Sequence, residues 1–293
     1  MAKLLLICFL LSSLIASSQQ IAHTNSDCIR LLRMNDTPLK KPRPSEWLFR
    51  HKEKGQTFEQ YTQSKPVKPT ASRNRIYLQP IGNFTPTQWK VIQYTAAYLD
   101  LFFDRRVSVL PKIKPTMVLP AQRRYSNTAS EQLLTTPILD FLEKKIPADG
   151  LVIMAITSQD LYPSPNYNFV FGIARTQQRV GVSSLFHYSD SGMDSTNYQK
   201  CLERLIKTSS HAITHMLTVK HCIAAVCLMN GSNSLSESDS RPNRLCSVCL
   251  HKLQWNLQFN VSARLKKIAA YFQKHKLQTD LSFAEADIRA IEE

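Results

Sequence analysis

Apolar positions recur along this chain in three patterns, and each pattern predicts an element. Residues 151–156 (Leu-Val-Ile-Met-Ala-Ile) are apolar without a break, and a run this short reads as a central strand covered on both faces. Residues 76–81 (Ile-Tyr-Leu-Gln-Pro-Ile) and the alternating stretch 106–110 predict two more strands, and 169–172 and 180–182 a further two around a polar turn. Helical spacing appears at Val91, Tyr94, Tyr98, Leu99 and Phe102, which predicts a helix over 86–104. It appears again at Leu134, Ile138, Phe141 and Leu142, predicting a helix over 131–145 that Pro137 interrupts early. A third helix should begin at Asn197, a good capping residue, carry Cys201, Leu202, Leu205 and Ile206 inward, and end near Leu217. Strands and helices alternating in this order imply an α/β (α+β) domain: a mixed, twisted sheet with helices packed on it.

The pattern fades at both ends. Residues 19–75 are polar and basic, with Pro38, Pro42, Pro44, Pro66 and Pro69 scattered through them, and only Trp47-Leu48-Phe49 offers a packing anchor. They read as an irregular basic extension laid over a domain at 76–277, with a helical tail at 278–293. Ahead of the extension, Lys3 precedes a twelve-residue stretch, 4–15, apolar except for Ser12 and Ser13, and Ala16-Ser17-Ser18 supplies small residues. That layout is a secretory signal peptide over residues 1–18, and the run is too short for a membrane anchor. The expected location is extracellular, or intracellular if the signal does not work.

Composition narrows the chemistry. The 293 residues are 43% hydrophobic and carry a formal charge of +15, so whole-chain disorder is excluded and anionic partners are permitted. Residues 1–75 hold 13 Lys/Arg against 5 Asp/Glu, so the extension is the natural place for contact with an anionic glycan or a membrane surface. Nucleic acid is not expected. Tyr271 and Phe272 lie among basic residues, but Leu265, Ile268, Ala269 and Phe272 have the spacing of an ordinary amphipathic helix. Only 7 glycines are present and no glycine-rich phosphate loop is formed, which leaves nucleotide chemistry without a motif.

What stands out is a run of metal-ligand residue types. His211 and His215 are four apart on the third helix and so share one face, where two imidazoles converge on a single ion. His221 follows six residues later and can return to the same ion if the helix ends near Leu217. Three neutral imidazoles with one open position make a catalytic zinc geometry, in which a bound water is acidified toward pH ~7. Beside them, Cys222-x4-Cys227 and Cys246-x2-Cys249 form two pairs with the spacing of a closed four-cysteine zinc site. Disulfides are the alternative in an oxidising compartment, since six cysteines remain once Cys8 leaves with the signal.

The run His211-Ala-Ile-Thr-His215-Met-Leu-Thr-Val-Lys-His221-Cys222, then Cys227-Leu-Met229 and Arg241-Pro-Asn-Arg-Leu-Cys246-Ser-Val-Cys249, resembles the archaemetzincin family of zinc metallopeptidases. Residues 76–82, 160–163, 168–172 and 180–182 resemble it too, so the similarity spans about Trp47 to Leu277. The resemblance implies a compact metzincin-like domain with two zinc ions. The catalytic one would sit on His211, His215 and His221, the structural one on Cys222, Cys227, Cys246 and Cys249, with Met229 in a Met-turn under the first.

Two positions depart from the family pattern. Where the family has Glu directly after the first histidine, this chain has Ala212. A methyl group neither takes a proton from zinc-bound water nor returns one to the leaving amine, and such help contributes about 10²–10⁴ in rate, roughly 3–5 kcal/mol of barrier. No acidic residue lies between Glu203 and Glu237, so rescue would need a carboxylate from a distant segment. Thr218 stands where the pattern has the glycine of a sharp turn, at an expected cost of ~1–3 kcal/mol if the left-handed conformation is kept. N-x-S/T sequons at Asn35, Asn83, Asn230 and Asn260 are glycosylation candidates, though Asn230 adjoins the Met-turn, where packing and a glycan conflict. The leading expectation is a secreted, zinc-binding pseudopeptidase that takes a peptide or protein ligand in its cleft. The alternatives are a working metallopeptidase, of aminopeptidase type, with its base supplied from elsewhere, and a metal-free, disulfide-bonded structural protein.

Overall fold

A computed structural model describes residues 23–126, 129–189 and 192–293; the expected signal peptide at 1–18 lies outside them. The chain runs α1 (Asn25–Leu32), α2 (Trp47–Arg50), α3 (Phe58–Gln63), β1 (Arg75–Ile81), α4 (Pro86–Phe103) and β2 (Val107–Val109). It continues through β3 (Arg123–Tyr125), β4 (Glu131–Leu134), α5 (Thr135–Lys145), β5 (Gly150–Thr157), β6 (Asp160–Tyr162), β7 (Gly172–Arg175) and β8 (Val180–Ser184). The C-terminal part is helical: α6 (Tyr198–Met216), α7 (Leu235–Asp239), α8 (Ser247–Leu257), α9 (Val261–His275) and α10 (Gln278–Glu292).

Five strands form the main sheet in the order β2-β1-β5-β8-β7, parallel except for β7 against β8. A smaller sheet has the order β3-β4-β6. Strand β5 is buried along its whole length, and its alternate residues feed two cores. Val152, Met154 and Ile156 join the core shared with α4, α6, α8 and α9, while Ile153 and Ala155 face Ile138, Leu139 and Leu142 of α5. A parallel strand sandwiched by helices has no solvent face, which is why its sequence lacks alternation. The mixed α/β architecture expected from the sequence is the one observed. Helix α6 lies on the sheet beside α4. Its Met216 is let in by Gly181 of β8, where an added Cβ would come within 2.7 Å of the Met216 methyl.

Several elements differ from those expected. Residues 131–134 belong to strand β4 rather than to the first turn of a helix, because they pair with β3 on one side and β6 on the other. The helix begins at Thr135, which puts Pro137 in its first turn, where no N–H is required. Residues 169–171 precede β7 instead of forming a strand, and Phe169 stacks on His187 at 3.8 Å. Asn197 is at the start of α6 but does not cap it with its side chain; its amide donates to Ser189 and to the Gly192 carbonyl.

The stretch 19–75, expected to be irregular, holds three α-helices in its described part. Capping boxes at Thr24/Asp27 and Thr57/Gln60 start α1 and α3, satisfying backbone donors locally in spite of the surrounding prolines. Cys28, Ile29 and Leu32 are buried, and Tyr61 is fully buried with its hydroxyl donating to the Leu217 carbonyl at 2.9 Å. Of the expected anchor, Trp47 lies so close to Gly231 that a Cβ there would collide with the indole, while Phe49 is exposed. The C-terminal helix is docked rather than trailing: Leu281, Ala284 and Ile291 are buried, and Asp287 meets Arg244 at 2.8 Å. No helix among the described residues is long and apolar enough to cross a membrane.

Candidate metal centres

Helix α6 ends at Met216, so His211 and His215 occupy its last two turns on one face. The chain then reverses at Thr218, which keeps the left-handed conformation at φ 66° although it is β-branched. The turn is tied at both ends, its N–H donating to the His215 carbonyl at 2.7 Å and its hydroxyl to the Leu217 carbonyl at 2.6 Å. This reversal brings His221 back to the helix. The ring nitrogens of His211, His215 and His221 lie within 4.8 Å of one another, so all three predicted histidines meet.

Their hydrogen bonds assign the free lone pairs. His211 Nδ1 faces the Leu228 carbonyl at 2.9 Å and His215 Nδ1 the Val219 carbonyl at 2.7 Å. His221 Nδ1 faces the Glu53 carboxylate at 2.9 and 3.1 Å. Each partner is an acceptor, so each Nδ1 carries the proton and each Nε2 presents a lone pair. Two of those atoms, His211 Nε2 and His215 Nε2, are only 2.9 Å apart. Burial pushes the His211 imidazole down to about 4, with the neighbouring His221 adding to the effect, and His215 well below its ordinary range for the same reasons. Converging lone pairs on neutral rings suit a cation between them. Two tetrahedral ligands at about 2.0–2.1 Å from zinc would sit about 3.3 Å apart, close to the observed spacing, so the donor set fits zinc.

The second cluster is made by the loop after His221 and the start of α8. Sulfurs of Cys222, Cys227, Cys246 and Cys249 lie within 4.8 Å of one another, and all four residues are buried. Cys222 and Cys246 are 3.7 Å apart at sulfur. That is far beyond the ~2.05 Å of a disulfide, and near the ~3.8 Å edge of a tetrahedron with sulfurs at about 2.3 Å from zinc. The six described cysteines are free thiols, so the disulfide-bonded alternative is not the arrangement found. The backbone N–H groups of Met229 and Cys246 donate to the Cys227 sulfur at 3.4 and 3.2 Å, and Cys246 and Cys249 sit at the N-terminus of α8, both of which favour thiolates. Hydrogen bonds from Cys227, Cys246 and Cys249 draw the Cys222 thiol down. Burial pushes Cys227 up, and bonding to Cys222 pushes Cys249 up. Four sulfurs converging at this spacing fit zinc, which would hold them as thiolates.

The two clusters share one turn. Cys222 donates its N–H to the Met229 carbonyl at 2.7 Å, while the adjacent Leu228 carbonyl receives His211. Met229 itself is fully buried. Asn230 closes this turn: its amide donates to the Cys222 and Ala225 carbonyls at 2.8 and 2.9 Å and accepts from Cys227 N–H. At 4% exposure it has no room for a glycan, which removes it from the glycosylation candidates. Asn83 and Asn260 are exposed, and Asn35 is partly buried with its amide on the Ala286 carbonyl and Asp287.

Glu53 was not legible as a site residue in the sequence. It lies 168 positions before His221, in a basic stretch, and no spacing connects them. The cleft beside the histidines is lined by residues 53–56, by Thr176 and Gln177, and by His215 and residues 218–221. Among the described residues lining it, Glu53 is the one carboxylate. It accepts from Trp47 Nε1 at 2.8 Å and from His221 Nδ1, so it reaches the ring edge facing away from the lone pair.

A helix carrying two of three converging histidines, followed by a four-cysteine cluster on a mixed α/β scaffold, defines a metallopeptidase-type architecture. The profile of peptidase family M54 matches residues 103–255, and the chain belongs to that family, the archaemetzincins. It is 33% identical to human archaemetzincin-2 over 275 residues, covering 83% of this chain and 76% of the relative. To human archaemetzincin-1 it is 27% identical over 259 residues, and here it spans about half of the longer protein, 52%. Among solved structures, archaemetzincin from Methanopyrus kandleri superposes with a TM-score of 0.51 at 28% identity, covering 65% of this chain and 99% of the archaeal one.

Proposed function

We propose that this protein is a secreted archaemetzincin-type zinc protein that has lost peptide hydrolysis and acts by binding. Zinc is held by His211, His215 and His221 and, separately, by Cys222, Cys227, Cys246 and Cys249. When bound at the histidines, zinc supplies Lewis-acid polarisation of a peptide carbonyl and acidifies water. The observation that carries the reading is Ala212. It sits on α6 between the two convergent histidines and is 6% exposed, and its methyl group moves no proton. Glu53, the alternative source of a base, is already engaged by His221 Nδ1 and Trp47 Nε1. What remains for the chain's own groups is to hold and orient a ligand. The natural ligand is a peptide or protein segment entering the cleft lined by residues 53–56, 176–177 and 218–221. The basic N-terminal stretch is suited to contact with an anionic glycan or membrane surface, and Asn83 and Asn260 are the exposed sequons for glycans on a secreted chain.

The test is chelator-sensitive cleavage of a broad peptide library by the purified zinc-loaded protein. Turnover at or below about 1% of an active family member is expected, since the missing proton transfer contributes about 10²–10⁴ in rate. Cleavage at the rate of that active relative would overturn the proposal.

A further inference from the structure

The third histidine hangs on a strained turn, and what holds it comes from the N-terminal segment. Glu53 meets His221 Nδ1 with both oxygens, at 2.9 and 3.1 Å, and is itself fixed by Trp47 Nε1 at 2.8 Å. Trp47 is fixed in turn. Its backbone N–H donates to the buried Glu237 carboxylate at 2.9 Å, its indole lies against Gly231, and its ring stands edge-on to His221 at 5.4 Å between centroids. Three residues on, Gln56 spans the turn. Its Nε2 donates to the Thr218 carbonyl at 3.3 Å and its Oε1 accepts from Lys220 N–H at 3.2 Å, while its own carbonyl receives the buried Lys252 ammonium. Residues 53–56 thus contact Thr218, Lys220 and His221 in succession.

A carboxylate on Nδ1 fixes an imidazole in the Nδ1–H form, leaves the Nε2 lone pair on the far side, and raises its basicity toward a metal. His221 needs this more than its partners do. His211 and His215 are held by the helix backbone and by backbone carbonyls, whereas His221 follows a β-branched residue at φ 66°, where the turn alone is under strain. We infer that Glu53 is the positioning residue of His221, fixing its tautomer and ring direction so that its Nε2 joins those of His211 and His215, with Gln56 bracing the Thr218 turn. The consequence for zinc rests on the metal reading above, but the tautomer does not.

Two measurements separate them. Nitrogen NMR of histidine-labelled, metal-free protein near neutral pH should find His221 predominantly Nδ1–H, with that preference lost in Glu53→Ala. Zinc affinity at the histidines, read by chelator competition, should fall about 10–100-fold in Glu53→Ala. Glu53→Gln, which keeps an acceptor oxygen, should lose less, and the four-cysteine zinc should stay in both variants. An Nε2–H tautomer for His221 in the parent protein overturns the inference without any variant. So does zinc affinity within twofold of the parent in both variants. A parent that has the Nδ1–H tautomer yet takes no zinc at the histidines upholds the positioning role and defeats the proposed function instead.

Discussion

Ala212→Glu is expected to raise peptide hydrolysis by about 10²–10⁴-fold, the usual contribution of a positioned general acid–base group. The substitution changes one side chain on α6, between His211 and His215, and leaves Glu53 on His221 Nδ1. Its carboxylate arrives on the turn of helix that already holds two histidines, without new backbone geometry. In free energy the expected gain is about 3–5 kcal/mol of barrier. The measurement is the initial rate of cleavage of a fluorogenic peptide by the zinc-loaded protein, with a chelator-treated control. A rate unchanged from the parent would put the loss of activity elsewhere in the cleft, with the Thr218 turn the first place to look.

The second large effect concerns stability. Cys227→Ser or Cys249→Ser should cost more than about 4 kcal/mol of folding free energy, a size seen when a structural metal is lost rather than a single contact. The four sulfurs tie the loop after His221 to the first turn of α8. The same loop supplies the Leu228 carbonyl that orients His211, so damage at the cysteines reaches the histidines. In Cys249→Ser, urea unfolding should begin at much lower denaturant, and the protein should lose zinc from both clusters. By contrast Cys28→Ser or Cys201→Ser, at cysteines outside both clusters, should leave zinc content unchanged. A Cys249→Ser protein as stable as the parent would mean that the sulfurs hold no metal.

The parts of this structure that were legible in the sequence were those whose signal is local. The apolar run at 151–156 became β5 because a strand buried on both faces leaves no polar position. The spacing from Val91 to Phe102 became α4, and the His211/His215 spacing became one face of α6, because helical periodicity is a short-range property. The turn at Thr218 was legible through the resemblance, whose pattern has a glycine there; whether Thr218 would keep the left-handed conformation was left open by the sequence, and it does.

What was missed depends on partners far along the chain. Residues 131–134 contain good helix formers, and only pairing with β3 and β6 makes them a strand. Helices α1 and α3 are short and lie in a polar, basic stretch; their capping boxes were readable signals, but the burial of Tyr61 on the Leu217 carbonyl was not. Asn197 had the chemistry of a cap, yet its amide found Ser189 and Gly192 instead. Glu53 is the plainest case. A carboxylate joined to a histidine 168 positions later leaves no mark in any window of sequence, and only the fold of the N-terminal segment brings it to the cleft.

The histidine cage is expected to hold a metal although Ala212 stands beside it in place of a glutamate. The direct measurement is zinc content per folded chain, by native mass spectrometry, for the parent and for His215→Ala. Two zinc ions are expected in the parent and one in the variant, with the remaining ion resistant to changes at the histidines. A parent that carries a single zinc, unchanged by His215→Ala, would contradict the claim.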